Sequence, residues 1–102
     1  MLMAVFDKDL PYLVQIGLWR SARVVVGIHG GNLGGALWLA PGQAIVELGM
    51  GGMEMEPTMY AHMAVANAAE YRVVRMDKGS SMEKGGTVNP RAVVHAVKEA
   101  LL

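Results

Sequence analysis

A glycine-dense segment carries the strongest sign of chemistry in this sequence. Residues 29–35 read HGGNLGG and directly follow the β-branched run RVVVGI of residues 23–28. A strand that ends in glycines and enters a helix leaves backbone N–H groups free, and the helix dipole adds partial positive charge there. A pyrophosphate could approach such a backbone closely. Because the spacing matches neither GxGxxG nor a P-loop, glycine for a tight connection alone is an equal alternative.

Glu47 carries the second sign. It is the one charged residue in the apolar run AIVEL of residues 44–48. Buried carboxylates usually need a partner, and a ribose diol is a good one because both of its hydroxyls can donate. A salt bridge to Arg23 or Arg75, or a solvent-facing place at the strand end, explains the residue equally well.

The composition limits the classes of function. The 102 residues suit one domain, residues 1–102, and 53% of them are hydrophobic against 18% charged. That is more apolar than an average soluble domain, which indicates much interior or an apolar contact surface. A formal net charge of zero argues against nucleic-acid and anionic-membrane partners. Without cysteine, disulfides and thiolate metal sites are excluded.

Membrane and metal functions find no support either. No apolar run reaches the roughly 20 residues that span a bilayer, and the first ten residues lack a signal-peptide pattern. We therefore expect a cytoplasmic protein. His62 and His95 lie in predicted helices among apolar residues, so we expect them to be core or partly buried histidines, and no metal site is predicted.

The pattern of apolar residues predicts the element order α-β-α-β-α-β-α. Helices are predicted at residues 10–22, 36–39, 59–69 and 90–100, and strands at 23–28, 44–48 and 71–76. Asp9 and Asn89 are the expected N-caps. Strands separated by helices predict a three-stranded parallel sheet with flanking helices. We expect the crossovers on one face, the first and last helices on the other, and a first strand buried on both faces.

Several unlike features follow one another in an order that resembles the family 61 glycosyltransferases. They are an SARV junction at residues 21–24, a strand, His29-Gly30, Leu33, an apolar helix at 37–39, Pro41-Gly42 and a strand ending in IVEL at 45–48. Asn89-Pro90 resembles a later helix start of the family. The similarity covers roughly residues 10–102 and concerns the nucleotide-sugar-binding lobe.

The resemblance implies half of the Rossmann-like C-terminal lobe of a two-lobed GT-B enzyme. Such enzymes are inverting and transfer a sugar from a nucleotide donor, such as a UDP-sugar, without a metal or other cofactor. The implied donor-binding residues are His29, Gly30 and Gly31 at the diphosphate, Glu47 at the ribose or uracil, and the adjoining Asn32 and Leu33. Where the family usually has Thr-Asn after the leucine, this chain has Gly34-Gly35.

The resemblance covers one lobe, and no residue is marked as a general base; Asp77 and Glu83 lie in a predicted loop. The catalytic residues are therefore unknown, and we expect no transfer by this lobe alone. A first strand without an outer neighbour would be an apolar edge, which predicts a homodimer through that edge or an apolar face. The alternative is a non-enzymatic, self-associating α/β module. The hypothesis that His-Gly-Gly is the oxyanion loop of a lipase-like hydrolase requires a nucleophilic serine in a GxSxG motif. None of Ser21, Ser80 and Ser81 lies in such a motif, so this hypothesis is rejected.

Overall fold

The computed structural model describes residues 10–28, 31–49, 59–77, 79–80 and 86–102. Its elements are α1 (Tyr12–Ser21), β1 (Val24–Ile28), a 3₁₀ helix (Gly31–Trp38), β2 (Ala44–Gly49), α2 (Met59–Ala66), β3 (Glu70–Arg75) and α3 (Pro90–Ala100). The strands form one parallel sheet in the order β1-β2-β3, which confirms the predicted fold class. The second helix differs from the prediction, because it is 3₁₀ and begins at Gly31, where glycines disfavour α-helix.

The core lies on both faces of the central strand β2, whose six residues are all buried. On the first face, α1, the 3₁₀ helix and α2 enclose a cluster of Trp19, Leu33, Ala36, Leu39, Ile45, Tyr60 and Ala64. On the second face, α3 covers a smaller cluster of Val46, Leu48, Val74, Met76 and Ala96. A strand packed on both sides must be apolar throughout, as the run AIVEL is except at Glu47.

The prediction that the first helix covers the second face is wrong. Trp19 of α1 is 4% exposed and belongs to the first-face cluster. Gly35 in the 3₁₀ helix makes this possible, because a Cβ there would lie 1.9 Å from the indole Nε1 of Trp19. Because Gly35 has no side chain, the Trp19 indole can lie against the backbone of the 3₁₀ helix. This contact holds α1 beside the two crossover helices.

The prediction that the first strand is buried on both faces is also wrong. Val26 is 42% and Ile28 is 50% exposed on the second face. The reason is that α3, the only element packed on this face among the described residues, lies over β2 and β3. The outer part of β1 therefore remains open to solvent in the described structure.

Gln43 joins α1 to the amino-terminal end of the sheet. Its Nε2 donates to the carbonyl oxygens of Trp19 at 2.9 Å and Ala22 at 2.5 Å, and lies 3.1 Å from that of Arg20. Its Oε1 accepts from the Ala40 N–H at 2.6 Å. One buried amide thus satisfies the last carbonyls of α1, which have no partner within the helix.

The caps and the second face complete the scaffold. Asn89 caps α3 as predicted and accepts from the Arg91 N–H at 3.0 Å, whereas Asp9 lies outside the described residues. Arg72 of β3 donates to Glu99 of α3 at 2.6 Å and also pairs with Glu70. The Glu70 hydrogen bond is the main cause that raises the pKa of Arg72, and the Arg72–Glu99 ion pair links β3 to α3.

Candidate functional site

The candidate site lies at the carboxyl ends of the strands, the usual ligand edge of a parallel α/β sheet. The register sets Gly27, Glu47 and Val73 side by side across the three strands. His29 and Gly30, which connect Ile28 to the 3₁₀ helix, lie outside the described residues, and so does the side chain of Asn32. Their roles at a diphosphate stay predictions.

Leu33 holds the 3₁₀ helix on β1. Its side chain is 2% exposed and belongs to the first-face core. A Cβ on Gly27 would lie 2.6 Å from Leu33 Cδ2, so the leucine in its present rotamer occupies the space that a side chain at position 27 would need. Leu33 therefore sets the position of the helix start relative to the strand end, and its buried side chain does not present a surface to a ligand.

The two glycines that follow Leu33 have different surroundings. Gly35 is required by the indole of Trp19, whereas a Cβ on Gly34 would meet nothing within 4 Å. An asparagine at position 35, which the family resemblance would lead one to expect, would collide with Trp19. The departure at Gly35 therefore follows from the packing of α1, and the departure at Gly34 has no steric cause in the described residues.

Glu47 is fully buried at 0% exposure, on the first face of the sheet. The Tyr71 hydroxyl donates to its Oε1 at 2.5 Å. The alternative of a solvent-facing strand end is therefore wrong. Tyr71 could not be recognised as a partner from residue types, because the contact depends on the parallel register, which sets Tyr71 opposite Ile45 and diagonal to Glu47. The carboxyl group lies beneath the candidate ligand edge and is not exposed on it.

Asp77, just after β3, and Thr87 are hydrogen-bonded to each other at the same edge. The Asp77 N–H donates to the Thr87 carbonyl at 2.8 Å, and the Thr87 hydroxyl donates to Asp77 Oδ2 at 2.5 Å. Ser80 Oγ accepts from the Thr87 N–H at 3.3 Å. The Asp77 carboxylate thus serves to close the loop, and Glu83 lies outside the described residues.

The two described histidines do not form a site. His62 is exposed on α2, and the side chain of His95 is 74% exposed and pairs with Glu99, so the expectation of buried histidines is wrong for both. Across the described ranges, no three His, Cys, Asp or Glu side chains come together as metal ligands. None of the helices described here is long and apolar enough to cross a membrane.

Comparison with protein-family models, curated proteins and solved structures gives no match. The likeness to family 61 glycosyltransferases therefore depends on the ordered motifs of the sequence, from the SARV junction to the Asn89-Pro90 helix start.

Proposed function

We propose that this chain is a nucleotide-sugar donor-binding lobe, similar to that of the family 61 glycosyltransferases and not catalytic alone. The observation that carries the proposal is the join between Ile28 and Gly31. It lies at the carboxyl end of a parallel strand and leads at once into a helix, which is where free N–H groups and a helix dipole favour an anion. The ordered motifs of the family occur on the same elements.

In this proposal the backbone from His29 to Asn32 binds the diphosphate, and Leu33 holds that backbone in place from the core. Glu47 lies below, with its carboxyl group bound to Tyr71 and closed off from solvent. A ribose can reach Glu47 only if the groups above it move aside when the nucleotide binds. Transfer would require an acceptor-binding lobe from a longer chain or a second protein.

The test is a titration of the full chain with uridine diphosphate, followed by NMR. We expect saturable shifts that are lost in His29→Ala. The matched control is His62→Ala, which removes an exposed imidazole on α2 and should bind as the wild type does. Absence of a response up to millimolar nucleotide, or equal binding by both variants, would contradict the proposal.

A self-associating α/β module without nucleotide affinity is the second candidate. One observation favours it, namely the exposed apolar side chains of Val26 and Ile28 on the edge strand β1. The same titration separates the two candidates, because a module of this kind leaves the NMR spectrum unchanged when nucleotide is added.

A further inference from the structure

The outer edge of β1 has no neighbouring strand among the described residues. β1 pairs with β2 on one side, and within the described ranges no strand pairs with it on the other. The Arg23 carbonyl accepts from the Ala44 N–H at 3.0 Å, so the groups of odd-numbered residues in this strand face β2. By the alternation of a parallel ladder, the N–H and C=O groups of Val24, Val26 and Ile28 face outward.

Exposed apolar side chains gather at the same side of the molecule. The 3₁₀ helix lies between α1 and α2, and α2 packs on β3, so α1 lies toward β1. Large apolar residues that remain exposed on these two consecutive elements are Tyr12 (64%), Leu13 (81%), Val14 (47%), Val26 (42%) and Ile28 (50%). Exposed apolar side chains thus flank the edge of β1 on both faces of the sheet, those of α1 on the first face and Val26 and Ile28 on the second, and such side chains are typical of a contact surface.

We propose that this surface binds a second copy of the chain. Two copies related by a two-fold axis would pair their β1 strands antiparallel, with Val26 facing its own copy and Val24 facing Ile28. The strand has no charged residue from Val24 to Ile28, so no like charges meet in this pairing. Edge strands that stay single usually carry a lysine, a proline or a bulge, and β1 has neither lysine nor proline.

The strand alone is too small for a stable dimer. A stable interface buries roughly 800 Å² on each partner, more than five residues of strand can supply. A two-fold axis perpendicular to the joined sheet keeps both α1 helices on the first face, where their exposed Leu13 and Val14 side chains approach each other. The proposed interface therefore combines the β1 pairing with an α1–α1 contact, and it is independent of nucleotide binding.

The test compares two valine-to-lysine variants by sedimentation equilibrium. Val26→Lys places two ammonium groups opposite each other at the two-fold axis and should raise the dimer dissociation constant at least about tenfold. Val73→Lys is the matched control, because Val73 is 39% exposed on the opposite edge strand β3. We expect wild type and Val73→Lys to be dimers and Val26→Lys to be a monomer with an unchanged circular dichroism spectrum.

A further variant allows the proposal to be tested even if Val26→Lys does not fold. Leu13→Glu alters a side chain that is 81% exposed and so leaves the core intact, and it should also weaken the dimer. Equal dissociation constants for the two lysine variants would place any dimer interface elsewhere and overturn the proposal.

A monomeric wild type would also overturn it, and amide exchange then identifies the rival occupant. Protected amides at Val24 and Val26 in the monomer mean that the chain's own residues 1–9 cover the edge. α1 lies on the face where a right-handed crossover from a preceding strand would place it, which gives this rival its physical basis. Unprotected amides mean that the edge is free.

Discussion

The two ends of the parallel sheet are held in different ways. At the amino end, Gln43 binds backbone groups of α1 and of Ala40, and the Gly42 N–H donates to the Ala68 carbonyl at 3.3 Å. At the carboxyl end, Leu33 packs on Gly27, and the Thr87 hydroxyl donates to Asp77. The difference teaches that substitutions at the amino end should act on folding stability, and those at the carboxyl end on ligand binding.

Gln43→Ala should have the largest effect on stability of the substitutions that test this comparison. The change removes the donor of the buried Trp19 carbonyl and of the part-buried Ala22 carbonyl, and we expect the free energy of unfolding to fall by about 3 kcal/mol. Urea denaturation measures it. Gln15→Ala is the control, because it removes a part-buried hydrogen bond to the Leu10 carbonyl at 2.7 Å and should cost about 1 kcal/mol or less. Similar losses for both would show that Gln43 is not special.

Gly35→Ala should have the next largest effect. Its Cβ would lie 1.9 Å from Trp19 Nε1, so the indole or the 3₁₀ helix must shift, at a cost of about 2 kcal/mol. Gly34→Ala, one position earlier in open space, should change the melting temperature little. Thermal unfolding of the pair makes the comparison, and the interpretation of Gly35 fails if the two variants melt alike.

Tyr71→Phe should have the smallest effect on stability of the three substitutions. It also tests nucleotide affinity in the same variant. It removes the hydroxyl that donates to Glu47 Oε1, and we expect a loss of about 1–2 kcal/mol because a hydrogen bond to a buried carboxyl group is lost. Tyr12→Phe, on a ring that is 64% exposed, is the control and should be neutral. If uridine diphosphate binds the wild type, its affinity should fall in Tyr71→Phe and not in Tyr12→Phe.

Features that depend on neighbouring residues alone were predictable from the sequence. The buried strand around Ile45, the Asn89 cap and the parallel order each follow from local patterns. The face that α1 covers was not predictable, because it depends on the distant contact between Trp19 and Gly35. The exposure of β1 was missed for a similar reason, since an apolar strand has the same sequence whether or not a helix covers it.

The candidate site also has features that could be predicted from residue types and features that depend on packing. The glycine segment and Glu47 stand out by residue type, and the resemblance assigned them a ligand. The burial of Glu47, its bond to Tyr71 and the core position of Leu33 depend on register and packing. Residue types therefore indicated where polar groups meet the sheet edge, whereas the structure was needed to tell surface groups from buried ones.

The packing of α3 on the second face of the sheet affects the order in which the protein unfolds. α3 and the preceding Val88 cover Val46, Leu48 and Val74, and α3 is held by its Asn89 cap and by the ion pair of Glu99 with Arg72. If α3 detaches, the smaller second-face cluster meets water while the first-face cluster stays closed. The protein would then unfold in two steps, with α3 as the cooperative unit that leaves first.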